Sequence, residues 1–243
     1  MKSNQKKVYV SLLLVLLFGC LWMTYNIHYL KIKQLDPAYL LIIDVSASVD
    51  GYLSVKNLLI TYIVPLLLFY RFFIEDEHPH IIVRLQSRID MYRRRTIQVF
   101  ISSFIFAFII FLINFAAVFI FDRFHFISSK YWNLSLLNLA LLTCIYFSIG
   151  LLYYFIFDYS NSIIATAATF CICFLLYVMK SQLNIDWGPA SSANVIDPLL
   201  SSGITGYYSL IMIGKELFLS LVMVLLGLFA IEKKDFIFGF SDD

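Results

Sequence analysis

Ile97–Phe121, IQVFISSFIFAFIIFLINFAAVFIF, carries no charged side chain and follows almost directly on Arg93-Arg94-Arg95. A helix needs roughly 20 consecutive apolar residues to cross the hydrocarbon of a bilayer. Inside hydrocarbon every backbone donor and acceptor has to be satisfied within the segment, which a helix does and a lone strand does not. The stretch therefore reads as a transmembrane helix entered from a basic side.

Five further runs of the same kind flank it: Val8–Tyr25, Leu53–Ile74, Leu134–Phe157, Ser162–Met179 and Tyr207–Ile231. Hydrophobic residues make up 61% of the 243 positions, charged residues 14%, and the mean hydropathy is +0.84. A water-soluble domain of that balance could not cover its surface with polar groups. The expected fold is all-α: one transmembrane domain over residues 1–243 with six helices, in a cell membrane.

Short loops rich in Lys and Arg stay cytoplasmic. With the N-terminus inside, the inner segments hold Lys2, Lys6, Lys7, Arg71, Arg84, Arg88, Arg93, Arg94, Arg95, Lys233 and Lys234, which is 11 cations. The outer side holds 7: Lys31, Lys33, Lys56, Arg123, Lys130, Lys180 and Lys215. Both termini are thus expected in the cytoplasm. Trp22, Tyr25, Tyr131 and Trp132 fit the interfacial ends. The basic N-terminus and VSLLLVLLFGC also resemble a secretory signal, but the apolar run continues through Leu21, Trp22 and Met23, so the segment is read as a first helix.

Cys20, Cys144, Cys171 and Cys173 all fall inside predicted helices and read as small apolar residues rather than as a disulfide or metal framework. Asp158-Tyr159-Ser160-Asn161 leaves room only for a tight hairpin between helices four and five. Helix five opens with Ser162, Ala165, Thr166, Ala168 and Thr169, small residues that allow close helix approach. Pro65 is expected to kink helix two.

Three connecting stretches are long enough to carry function. Residues 26–51 include Tyr39–Ile43, a strand or interfacial segment too short to span. Residues 181–206 hold Trp187, Gly188, Pro189, Asp197, Pro198, Gly203 and Gly206 beside apolar Leu199 and Leu200, a helix-breaking composition that suggests short pieces dipping into the outer leaflet. Residues 71–98 start with a turn, Glu75-Asp76-Glu77-His78-Pro79, and continue as HIIVRLQSRIDMYRRR. There Ile81, Leu85, Ile89 and Tyr92 form an apolar stripe, with Arg84, Arg88 and Arg95 on a polar stripe beside it. Such a helix can present its basic side to a cytoplasmic partner, or simply rest on anionic lipid. The pattern does not decide between the two.

Charges within the spans are few. Lys215 and Glu216 lie about 12 Å into helix six by helical rise, where a charge is expensive and usually faces a cavity or partner. The preferred reading starts the helix later, near Leu217, and leaves both at the interface. Asn114 and Asn138 can hydrogen-bond between helices. No nucleophile, acid–base or metal-ligand grouping stands out. His28, His78, His80 and His125 are scattered, and the phosphate-loop signature fails at the single Gly-Lys pair, Gly214-Lys215, which Glu216 follows. Neither an enzyme nor a cofactor is expected, and energy from ATP has to come from another chain.

Six helices with both ends inside, a basic amphipathic segment between helices two and three, and a helix-breaking external insert before helix six resemble the permease subunits of type-2 ABC exporters. IIVRLQSRIDMYRRR, with Arg84, Ser87 and Arg88, is similar to the Arg-x-x-Ser-Arg segment of small Gram-positive permeases, several of which serve antimicrobial-peptide export or immunity. The resemblance covers the topology of the whole chain and about fifteen residues of motif. It implies that Arg84, Ser87 and Arg88, with Leu85 and Ile89, couple to a separate cytoplasmic ABC ATPase. It implies also that Ser181–Gly206, with Trp187, Asp197 and Pro198, forms an outer gate. The implied partners are that ATPase, a second permease copy or a related permease, and membrane lipid, with no nucleic acid. The interfacial N-terminal helix common in the family is short or absent in this chain. A non-transporting membrane sensor or bacteriocin-immunity protein is the rival reading. An adjacent ATPase gene favours the permease, an adjacent kinase or toxin gene the rival.

Overall fold

The computed structural model describes residues 2–35, 51–73, 88–121, 131–183 and 206–233, and every regular element among them is helical. The helices are α1 (Lys2–Leu35), α2 (Ile63–Phe73, preceded by a wide π turn at Asn57–Thr61), α3 (Arg88–Phe121), α4 (Tyr131–Phe157), α5 (Ser162–Ser181) and α6 (Gly206–Lys233). Five of them, all but α2, are long and apolar enough to cross a membrane.

Ring contacts fix the directions. Phe18 of α1 meets Phe106 of α3 edge-on at 5.3 Å, and Trp22 stacks on Phe121 at 5.7 Å, so α1 and α3 run parallel. Phe106 meets Tyr146, Phe100 meets Phe147 and Phe115 meets Trp132, which sets α4 antiparallel to α3. The Lys7 ammonium lies over Phe73 and Phe18 lies against Tyr62, so α2 runs back along α1. Consecutive helices thus alternate in direction from α1 to α4.

The interruption in α2 has a local cause. Pro65 has no N–H, and its ring would crowd the carbonyl of residue 61 in a regular helix. The preceding turn is widened, with Tyr62 N–H donating to the Asn57 carbonyl at 2.8 Å. Polar side chains secure that turn. Asn57 donates to the Gly51 carbonyl, Thr61 donates to Asn57, and the buried Tyr62 hydroxyl reaches the Tyr52 carbonyl at 2.7 Å. The expected disturbance at Pro65 thus takes the form of an added residue in the turn before it.

Where α2, α3 and α4 cross, side chains of α2 and α3 fill the space left open at Gly150 of α4. A Cβ at Gly150 would stand 2.6 Å from Val99 Cγ1 and 2.7 Å from the Tyr70 hydroxyl. That hydroxyl donates to the Tyr146 carbonyl at 2.7 Å and lies 2.8 Å from Ser103 Oγ. On α5, Ala165, Thr169 and Cys173 are buried at four-residue spacing, so two of the small residues expected to pack do so, with a thiol extending the row. Cys144 is also buried, and Cys20 and Cys171 are exposed.

Helix ends differ from the sequence expectation at several points. α1 runs ten residues beyond Tyr25 to Leu35, because Asn26 does not break it: its side-chain amide donates to the Trp22 carbonyl at 2.9 Å, inside the helix. α6 starts at Gly206, in keeping with the apolar run Tyr207–Ile231 and not with a later start near Leu217. The amphipathic stretch and the third span, expected as separate pieces, share one unbroken 34-residue helix from Arg88 onward. Tyr39–Ile43 lies outside the described residues.

Candidate functional site

α3 enters the bundle with three consecutive arginines, and only one of them turns inward. Tyr92, Arg95, Val99, Ser103 and Phe106 are buried on one face, while Arg93 and Arg94 are exposed. Arg95 Nη1 donates to both carboxylate oxygens of Asp158, at 2.7 and 2.8 Å, and its guanidinium lies 5.5 Å from the Tyr154 ring centre. Asp158 opens the turn between α4 and α5. Its own N–H continues α4 by donating to Tyr154, and Asn161 caps α5 by accepting from Ile164 N–H at 2.8 Å. The expected tight hairpin is therefore present, and it is bolted to α3.

One turn before Arg95, the Tyr92 hydroxyl donates to the Val224 carbonyl of α6 at 3.0 Å. Its ring occupies the space where Gly227 has no side chain; any Cβ there would overlap the phenol. Arg95, Asp158, Tyr92, Met223 and Gly227 line a small crevice in which α3, α4 and α6 meet. The stripe assignments change accordingly. Arg95, read as part of a polar face, is buried and paired, whereas Tyr92 and Ile89, read as one apolar stripe, separate into a buried and a half-exposed position.

α6 lies parallel to α4, with Ser148 donating to Ser220 at 2.8 Å and Ser220 donating to the Glu216 carbonyl. Its buried residues Glu216, Ser220, Gly227 and Ile231 fall on one face. α5 and α6 each lean on α4 and scarcely touch one another among the described residues. Between them opens a groove of about 440 Å³. Its floor and rim bring Glu216, Lys215, Ser148 and Cys173 into otherwise apolar walls such as Leu152 and Leu176. Glu216 is fully buried, ten residues into α6. A groove whose open surface is almost wholly apolar can hold one apolar tail, with Glu216 and Ser148 buried behind its wall.

At the other end of the bundle Asn114 is buried and accepts a hydrogen bond from the Trp22 indole at 3.0 Å, tying α1 to α3. Asn114→Leu would strand that indole N–H; a loss of about 1–3 kcal/mol is expected. The check is a double-mutant cycle with Trp22→Phe, read as thermal midpoints in detergent. Simple additivity would show that the bond contributes nothing.

Arg84, Leu85 and Ser87, and likewise Trp187, Asp197 and Pro198, lie outside the described residues. Arg88 is the first residue of α3. Asp158 and Ser220 were not singled out by sequence reasoning. Among the described residues no group of three or more His, Cys, Asp or Glu side chains is placed to hold a metal ion. No family model, no curated protein and no solved structure matches this chain.

Proposed function

We propose that the chain is the membrane-spanning permease subunit of an ABC-type exporter, moving an amphipathic peptide or lipid-like substrate with a separate cytoplasmic ATPase. In this reading α2 with its π turn supplies the sixth crossing, both termini are cytoplasmic, and a second copy or related permease completes the path. The observation that carries the proposal is the mechanical continuity of α3. The described helix takes in Arg88, from the stretch whose motif resembles a coupling segment, and runs unbroken through the bundle to Phe121. Within its first two turns it grips α6 through Tyr92 and the α4–α5 turn through Arg95. A displacement delivered at the start of α3 would therefore be passed to three other helices at once. The ATPase would do conformational work by binding the two arrangements with different affinity. The groove between α5 and α6 supplies an apolar surface for the hydrophobic part of such a molecule.

Reconstitution tests the reading. The purified chain alone in nanodiscs is expected to hydrolyse no ATP above background. With its ATPase bound it is expected to hydrolyse ATP and to move a fluorescent amphipathic peptide across vesicles. Sustained turnover by the lone chain, with contamination excluded, would overturn the assignment. A chain that binds such a peptide but recruits no ATPase would instead favour the sensor or immunity reading.

A further inference from the structure

α6 is joined to the bundle unevenly along its length. The main core runs through α1 to α5 and, among the described residues, takes in from α6 only the partly buried Met212 and Ile213, near its start. Beyond Ser220 the helix contributes to a separate small cluster, where Ile231 packs with Met91 and Tyr92 and is flanked by Val224 and Leu228. In lipid, apolar side chains gain little from meeting each other rather than acyl chains, so close packing and polar bonds decide whether helices stay together. Beside its packing along α4, side-chain bonds tie the C-terminal half of α6 at two places among the described residues: Ser148 to Ser220 from α4, and Tyr92 to the Val224 carbonyl from α3. The second is the better anchored. The Tyr92 ring is seated on Gly227, and its helix is held in register by the paired Arg95 and Asp158 one turn on.

We infer that Tyr92 is a catch that locks α6 against α4. While it is engaged, the C-terminal half of α6 covers Ser148. When it is released, that half swings away as an intact helix and widens the groove beside Glu216, while the main core stays closed. The device belongs to this chain alone and requires neither an ATPase nor a substrate.

The test uses single reporter cysteines in the full-length chain, with the four native cysteines replaced by alanine, labelled by a small neutral thiol reagent in detergent micelles. Ser220→Cys reports the α4–α6 seam, and Ala107→Cys, buried in the main core on α3, reports the core. Tyr92→Ala is expected to speed labelling at position 220 by about tenfold or more and to leave position 107 protected. Gly227→Ala, which dislodges the ring from the α6 side, is expected to act in the same direction, and Tyr92→Phe, which keeps the ring and loses only the hydroxyl, to a smaller degree. Unchanged labelling at position 220 in Tyr92→Ala and in Gly227→Ala would overturn the inference. Equal acceleration at positions 220 and 107 would overturn it too, because Tyr92 would then support the whole fold rather than hold one helix.

Discussion

Asp158→Ala is expected to destabilise the chain by about 3–5 kcal/mol, because it leaves a buried guanidinium without its carboxylate. The cost arises on the Arg95 side of the pair. Arg95 side-chain exposure is 9%, against 17% for Asp158, so the aspartate sits nearer solvent in its turn and tolerates loss of its partner better. Arg95→Met should therefore cost less than Asp158→Ala, since methionine fills the space beside Tyr154 and the remaining carboxylate can be hydrated. Combining Arg95→Met with Asp158→Leu removes both charges together and should recover most of the stability, because a well-packed apolar pair avoids the desolvation of two ions. Thermal midpoints and the monodisperse fraction after detergent extraction measure all three. An Asp158→Ala chain within about 0.5 kcal/mol of the parent would place this pair among ordinary exposed ion pairs. The same experiment bears on mechanism. Under the proposed permease function, a pair that transmits motion from α3 to the α4–α5 turn should leave the apolar double replacement stable and yet alter the coupling between ATP hydrolysis and transport.

Much of the fold can be read from hydropathy because lipid punishes polar backbone and charge along a whole segment. Ile97–Phe121, Leu134–Phe157 and Ser162–Met179 all lie within helices that are long and apolar enough to span. Their ends are harder to read. Asn26 looks like a loop residue until its side chain is seen bonding back to Trp22, and Arg93–Arg95 look like a boundary although arginine is a good helix former. A finer reading was open at that boundary. Carrying the buried face of α3 backwards from Phe106 through Ser103 and Val99 lands on Arg95 and Tyr92 and passes over Arg93 and Arg94. Helical period thus marks which arginine turns inward once the buried face of α3 is known, and a span apolar all round does not reveal that face. Its partner was not legible, because Asp158 meets Arg95 only once the register between α3 and α4 is set by contacts such as Phe106 with Tyr146. Gly227 was equally silent: its role comes from the Tyr92 ring of another helix. Glu216 was noticed, but its burial depends on α6 beginning at Gly206 rather than near Leu217.

The inward turn of Arg95 also sharpens the test of the proposed ATPase contact. Reversing Arg95 would break the bolt between α3 and the α4–α5 turn and say nothing about docking, so the informative charges are those read on the basic side of the stretch that leads into the first residue of α3. Arg84→Glu combined with Arg88→Glu is expected to abolish co-purification of the ATPase while membrane insertion is retained. Charge reversal at a desolvated contact leaves the partner's carboxylates unpaired and costs about 2–5 kcal/mol. At about 1.4 kcal/mol per tenfold, that lowers affinity by a factor between about thirty and several thousand. Arg93→Glu with Arg94→Glu, at exposed positions in the first turns of α3, is the matched control for a general loss of positive charge. Should the control weaken assembly as much as the test pair, the basic stretch acts through anionic lipid and not through a defined protein contact. Ionic strength separates the remaining possibilities. An electrostatic contact should loosen as the Debye length falls from about 10 Å at 0.1 M salt to about 3 Å at 1 M, whereas apolar wedging should not. If assembly survives both the reversals and high salt but is lost in Leu85→Asp, the docking face is the apolar stripe of Ile81 and Leu85, and the arginines serve only to keep that stretch on the cytoplasmic side.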